Sequence, residues 1–198
     1  MSAKNNSRIL YFRLSSQYLH LVEAVTDEIL KQGNLQVVIS DHQISESEFY
    51  ESTKWSDYNI AEPILFNLYH GIELILKGYL KSINSDISQY GHKMDNLYSS
   101  FSSNFTTHKS VITLLKKYIG ETSDLIEPLK SFFIENNINV SQYYDALRYP
   151  TDKKELTIYS HYELKRLGKQ GLTFFNQLKL DIDTLLRETV KYWRSISD

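Results

Sequence analysis

The sequence predicts an all-α protein, an up-and-down bundle of four or more helices with a helical extension at its N-terminus. The 198 residues include only 3 prolines and 7 glycines, too few for the many tight turns of a β-sandwich or barrel. Apolar residues also recur at steps of three and four over long stretches, which is the period of an amphipathic helix. No glycine-, serine- or proline-rich linker divides the chain, so a single packed bundle is expected.

The first predicted element is a helix over residues 7–31, where the apolar positions keep helical spacing. Ser7 is placed to cap its start, and Gly33 with Asn34 is placed to end it. The LQVVIS run at residues 35–40 is short, apolar and rich in β-branched residues. It is predicted to be either an edge strand or an extended linker.

A second long helix is predicted from about residue 45 to residue 82. Ser45 followed by Glu48 has the spacing of a capping box at a helix start. Pro63 interrupts the pattern and is expected to kink or restart the helix. From residue 64 onward a wide apolar surface faces one side of this helix.

Shorter helices are predicted in the middle of the chain, and a long one is predicted at its end. The loop at 151–170 is charged and partly alternating, so it is predicted as a loop, a small hairpin or a flap, with a short strand possible at 155–160. The predicted helices cover residues 92–105, 111–119, 123–135 with a kink at Pro128, 141–147 ending before Pro150, and 171–197.

Composition excludes several classes of function. The chain has no cysteine, which excludes a disulfide scaffold, a thiolate zinc site and a cysteine nucleophile. A net charge of −2 excludes a broadly basic nucleic-acid surface. No apolar run is long enough for a spanning helix and no secretory signal is recognised, so we expect a cytoplasmic protein without a membrane partner. Neither GxxxxGK nor GxGxxG occurs, the histidines lack metal-ligand spacing, and no cofactor or metal is expected.

A polar stripe on the predicted helix after Pro63 is the first candidate site. Glu73 and Lys77 lie four residues apart, in the favourable order for an ion pair on one helix face. One interpretation is a solvated helix surface. The other is the wall of a cleft in which Lys77 contacts a phosphate and Glu73 orients it.

Two further candidates lie near predicted helix ends. His92 follows a glycine at a helix start, where it would either cap, pack, or serve as an acid or base near neutral pH. Arg148 and Tyr149 are held by the following Pro150, so the arginine could bind a phosphate while the tyrosine stacks on a base. The alternative is that Arg148 stabilises a helix C-terminus and Tyr149 fills a gap.

These three features follow one another in an order that resembles the HEPN domain (higher eukaryotes and prokaryotes nucleotide-binding). The segments are LYHGIELILKGYL, then GHKMDNLY, then YYDALRYP before a long last helix. The matching residues are Glu73, Lys77, His92, Arg148, Tyr149 and Pro150. The resemblance covers about residues 60–197, which divides the chain into an N-terminal extension at 1–55 and a HEPN-like bundle at 56–198.

The resemblance implies a helical bundle that is often a homodimer, and many family members are metal-independent RNases of toxin–antitoxin or defence systems. Those RNases carry an arginine followed after four to six residues by a histidine. After Arg148 the first histidine is His161, thirteen residues on, so the usual pair is missing. The only pair with six intervening residues is Arg13 and His20 in the extension.

Three hypotheses for function therefore stand. The first is a HEPN-like module that binds a nucleotide, RNA or a partner protein, with ligand-binding residues Glu73, Lys77, His92, Arg148 and Tyr149. The second is a metal-independent endoribonuclease, with His92, Arg13 and His20 as candidate catalytic residues. The third is a purely structural or interaction protein, which predicts that Arg148 is buried in a hydrogen-bond network and faces no cleft.

Overall fold

The chain folds into a helical bundle, seen in a computed structural model that describes the backbone of residues 3–152 and 154–196 and the side chains of 8–152 and 154–196. Over these ranges it forms no β-strand, so the all-α class is confirmed and the possible strands at 35–40 and 155–160 are absent. The described α-helices are α1 (Ala3–Gln32), α2 (Glu46–Thr53), α3 (Asp57–Ser82), α4 (Met94–Asn104), α5 (Lys109–Ile119), α6 (Leu129–Asn136), α7 (Val140–Arg148) and α8 (Lys169–Ser195).

Helix α3 lies at the centre of the bundle. Fifteen of its residues are buried, including Ile72, Ile75 and Leu76. Helices α1, α4 and α7 pack directly against it, and α8 packs against α1 and α5. Burial of the apolar surface of this helix by several partners stabilises the fold. None of the described helices is long and apolar enough to cross a membrane.

Helix α1 is part of the same core, although residues 1–55 were predicted to be an extension. Phe12 and Leu19 are buried against α3. The close approach depends on two α3 glycines, because a Cβ atom at Gly71 would lie 2.9 Å from Leu19 and one at Gly78 would lie 2.6 Å from Phe12. The predicted division at residue 55 therefore does not separate two cores.

The predicted interruption of the second helix is real, but Pro63 does not cause it. The capping box of Ser45 and Glu48 forms as predicted and starts α2. The chain then breaks before Asp57, and Pro63 lies inside α3. The break falls there because the backbone N–H of Asp57 donates to the Asn34 side chain. The start of α3 is thus held by a residue of the linker between α1 and α2.

The connection between α7 and α8 is a loop with little regular structure. Thr151 and Ile158 form an isolated antiparallel bridge, and Tyr162–Leu164 makes one turn of 3₁₀ helix. Near its end, the backbone N–H groups of residues 166 and 167 donate to the buried Asp57 carboxylate. Of the three predicted forms for 151–170, the loop is correct apart from that bridge, the 3₁₀ turn and the start of α8 at Lys169; Lys153 lies outside the described residues.

Prolines lie at one end of α6 and of α7, as predicted for Pro150 but not for Pro128. Tyr149 is extended (φ −128°, ψ 143°), so α7 stops at Arg148, before Pro150. The predicted helix at 123–135 is instead a 3₁₀ turn at Thr122–Asp124 followed by α6, and Pro128 directly precedes α6 rather than kinking it. Proline is tolerated at a helix start because the N–H group it lacks would have no partner there.

Candidate binding cleft

Glu73 on α3 is the buried centre of the predicted polar stripe. Its side chain is 2% exposed, and three side chains with basic nitrogens surround it. Lys77 Nζ lies 2.5 Å from Oε1, and His92 Nδ1 lies 3.0 Å from Oε1 and 3.2 Å from Oε2. His70 Nδ1 lies 3.6 Å from Oε2, beyond hydrogen-bond distance. The interpretation of this stripe as a solvated helix surface is therefore wrong.

The surroundings keep the Glu73 carboxylate charged. Burial of this carboxyl would by itself raise its pKa, but the neighbouring His70, Lys77 and His92 side chains outweigh burial and lower the pKa of Glu73 to about 2. Because a carboxylate only accepts hydrogen bonds, His92 donates through Nδ1–H. The other ring nitrogen of His92 is left for solvent or a ligand, and the side chain is 64% exposed.

Tyr144 on α7 joins the His92 and Arg148 segments. The His92 and Tyr144 rings are stacked, with centroids 5.3 Å apart and planes inclined by 6°. The Arg148 guanidinium carbon lies 5.1 Å from the centre of the Tyr144 ring and 5.1 Å from that of Tyr149. Cation–π contact of this kind orients the guanidinium while leaving its N–H donors free. Arg148 and His92 therefore lie within about 10 Å of each other.

These side chains border an open cleft of about 420 Å³ between the start of α4 and one face of α7. Ser141, Tyr144 and Arg148 are spaced by three and four residues, so one helix face carries all of them. The lining residues are His92, Lys93, Ser141, Tyr144, Asp145, Arg148 and Tyr149. The Ser141 hydroxyl has no hydrogen-bond partner among the described residues. Arg148 likewise makes no hydrogen bond or ion pair with a described residue, and its contacts are the two tyrosine rings.

Local sequence explains how the two walls are placed. Gly91 has φ +56°, a conformation that glycine adopts without strain, and it turns the chain so that His92 and Lys93 directly precede α4. At the other wall, Asn139 and Gln142 form a capping box that starts α7. Both signals are local, so they fix the helix starts independently of the rest of the bundle.

The other candidate catalytic pair is not part of this cleft. His20 is exposed on α1 and pairs with Glu23 on the same helix. Arg13 lines a separate cavity of about 170 Å³ between α1 and α8. Seven residues of helix place Arg13 and His20 about 10 Å apart along the axis. His161 is not among the lining residues of the cleft either. Its Nε2 contacts the Ala146 carbonyl oxygen at 2.6 Å.

The sequence interpretation missed four residues of the cleft: Lys93, Ser141, Tyr144 and Asp145. Counting back from Arg148 by four and by seven along the predicted helix reaches Tyr144 and Ser141, so helical spacing alone could have identified them. Lys93 carries no such signal beyond its position next to His92. No group of three or more metal-ligating side chains occurs among the described residues.

Comparison with known proteins finds no relatives: no family model, no curated protein and no solved structure matches this chain. Fold and site together define a class all the same. The chain is an all-α bundle with an open cleft that arginine, lysine, histidine and tyrosine side chains line. The histidine, His92, contacts a buried, ionised glutamate.

Proposed function

We propose that the cleft between α4 and α7 binds a nucleotide or a short segment of single-stranded RNA, as a HEPN-like binding module would. The observation that carries this proposal is the exposed Arg148 guanidinium, which is held by two tyrosine rings and whose N–H donors have no hydrogen-bond partner among the described residues. A guanidinium in this state suits a phosphate, which it binds through two parallel hydrogen bonds.

Apart from the Asp145 carboxylate, the remaining groups of the cleft fit the same ligand. Lys93 and the free nitrogen of His92 add donors for phosphate oxygens, and Ser141 adds a hydroxyl. Tyr149 is 47% exposed and offers a ring face on which a base stacks. The purely structural hypothesis required a buried Arg148 that faces no cleft, whereas Arg148 is exposed and lines one.

Binding is tested by calorimetry with ATP and with a short single-stranded RNA. We expect Arg148→Ala to weaken binding at least about tenfold, because a charge-assisted contact to phosphate is lost. The matched control is Arg187→Ala, since Arg187 pairs with Asp183 on exposed α8 and is absent from the cleft lining. We expect this control to bind as the unchanged protein does.

Two results would count against the binding proposal. One is the absence of binding of both ligands at about 1 mM. The other is equal weakening by Arg148→Ala and Arg187→Ala, which would indicate attraction to the overall surface charge rather than to the cleft. Homodimerisation, a protein partner and a role in toxin–antitoxin or defence systems stay parts of the HEPN hypothesis.

One observation favours a second candidate function, metal-independent RNA cleavage. A histidine whose Nδ1–H is held by a carboxylate presents its other nitrogen in a fixed direction, which is the arrangement of a general acid or base. His92 and Glu73 form this pair beside Arg148, a group that could stabilise the charge on a reacting phosphate.

Cleavage is tested by incubating the protein with single-stranded RNA in the presence of EDTA. If the site is catalytic, we expect His92→Ala to reduce the rate of cleavage more than about tenfold and His20→Ala to leave it unchanged. His20 is the matched control because its Nδ1 also pairs with a glutamate, but on the exposed face of α1. Intact RNA with the unchanged protein would exclude the catalytic proposal and leave binding as the function.

A further inference from the structure

A second cavity, of about 490 Å³, lies where residues 126–131 meet the first turns of α8. None of its lining residues belongs to the α4–α7 cleft. Ile126, Pro128 and Phe174 provide apolar surface, and Phe174 is itself buried in the core. The volume falls in the range of pockets that hold small molecules, about 300–1,000 Å³.

The charged groups of this cavity are all of one sign. Among the described residues Glu127 and Glu163 line it, and no lysine, arginine or histidine does. The Glu127 carboxylate is fixed by the Ser131 hydroxyl at 2.7 Å and the Ser131 backbone N–H at 3.2 Å. Glu163 makes no hydrogen bond or ion pair with any described residue. Its charge is therefore available to a ligand.

The electrostatic balance favours a cation. The start of α8 contributes only about half of a positive charge from its helix dipole, and two carboxylates exceed this. Apolar walls lower the local dielectric constant, which strengthens the attraction of these carboxylates for a cation and the repulsion of an anion. A ligand for this cavity thus needs positive charge and an apolar body.

We propose that this cavity binds a small aliphatic diamine or polyamine. One ammonium group contacts Glu163, another contacts Glu127, and the methylene chain between them covers Phe174 and Pro128. The carboxamides of Gln170 and Gln177 line the same cavity and offer oxygen atoms to the remaining ammonium hydrogens. This inference is independent of the function proposed for the α4–α7 cleft.

The test is calorimetry of the full chain with 1,5-diaminopentane, with 1,5-pentanediol and glutarate as neutral and anionic probes of the same carbon count. We expect saturable binding of the diamine and no binding of the other two at about 1 mM. Glu163→Gln keeps the shape of this half-buried side chain and should weaken diamine binding at least about fivefold. Glu135→Gln, on the exposed face of α6 and absent from the cavity lining, should leave binding unchanged.

Three outcomes would overturn the proposal. The first is no diamine binding, or binding of pentanediol as tight as that of the diamine. The second is equal weakening by Glu163→Gln and Glu135→Gln, which would indicate non-specific attraction to acidic surface. The third is binding of N-acetyl-lysine methylamide as tightly as the diamine, which would assign the cavity to a lysine side chain of a protein. Arg148→Ala should bind the diamine as the unchanged protein does. Failure of the diamine proposal can therefore be distinguished from failure of the proposal for the α4–α7 cleft.

Discussion

Replacing Asp57 by alanine is expected to lower the free energy of unfolding by about 3–5 kcal/mol. Asp57 is fully buried at the start of α3, and its carboxylate accepts four hydrogen bonds. Oδ1 receives one from the Gln36 side chain at 2.9 Å and one from the Arg166 N–H at 2.8 Å. Oδ2 receives one from the Asn34 side chain at 2.8 Å and one from the Leu167 N–H at 2.9 Å.

The size of this effect follows from what the substitution leaves behind. Alanine at position 57 would leave four donors without their acceptor, and one of them, the Asn34 side chain, is itself buried. The same carboxylate also ties the linker after α1 to the loop before α8, so both segments lose their anchor. Urea-induced unfolding of the unchanged protein and of Asp57→Ala measures the difference.

Two variants separate this explanation from a general effect of charge. Asp183→Ala removes an exposed carboxylate paired with Arg187 on α8 and should change stability little. Asp57→Asn keeps one acceptor oxygen and should fall between the unchanged protein and Asp57→Ala. If Asp57→Ala and Asp183→Ala unfold at the same urea concentration, the buried network does not contribute as described.

The long helices were predictable from sequence because their signals are local. Helix α8 runs from Lys169 to Ser195, close to the predicted 171–197, since its apolar face is continuous and no proline interrupts it. The break before α3 was misplaced at Pro63 because the cause lies in a contact between Asn34 and Asp57, 23 residues apart. Likewise, residues 35–40 have strand-forming side chains, but no second strand is present among the described residues to pair with them.

The candidate site was predicted in part, for the same physical reason. Residue types at helix ends identified His92 and Arg148 as chemically interesting, and both line the cleft. The burial of Glu73 was not evident, because His70 and Lys77 on the same stripe of α3 are polar and its cover comes from His92, 19 residues away. Helical periodicity describes one helix at a time. It does not report which face a second helix covers.

Replacing Glu73 by glutamine is expected to destabilise the fold by about 2–3 kcal/mol near neutral pH. The ionised carboxylate stabilises the folded state because its pKa is about 2 there, compared with about 4.5 for an ordinary glutamate. The substitution also leaves Lys77, whose side chain is 14% exposed, without its charged partner.

The pH dependence of this difference gives the sharper measurement. A carboxyl group whose pKa is lowered by folding contributes its full stability above the unfolded value and loses it as pH falls toward the folded value. The gap in unfolding free energy between the unchanged protein and Glu73→Gln should therefore be constant above about pH 5.5 and shrink between about pH 4.5 and pH 2. Urea-induced unfolding at a series of pH values follows it.

Glu51→Gln is the matched control for this prediction. Glu51 also contacts a lysine, Lys54, at 2.5 Å, but its side chain is 60% exposed on α2, where water screens the pair. We expect Glu51→Gln to unfold almost as the unchanged protein does at every pH. A gap for Glu73→Gln that stays the same from about pH 7 to pH 3 would show that the carboxylate is not held in its charged form by His70, Lys77 and His92. His92 would then lack the fixed orientation on which the cleavage proposal depends.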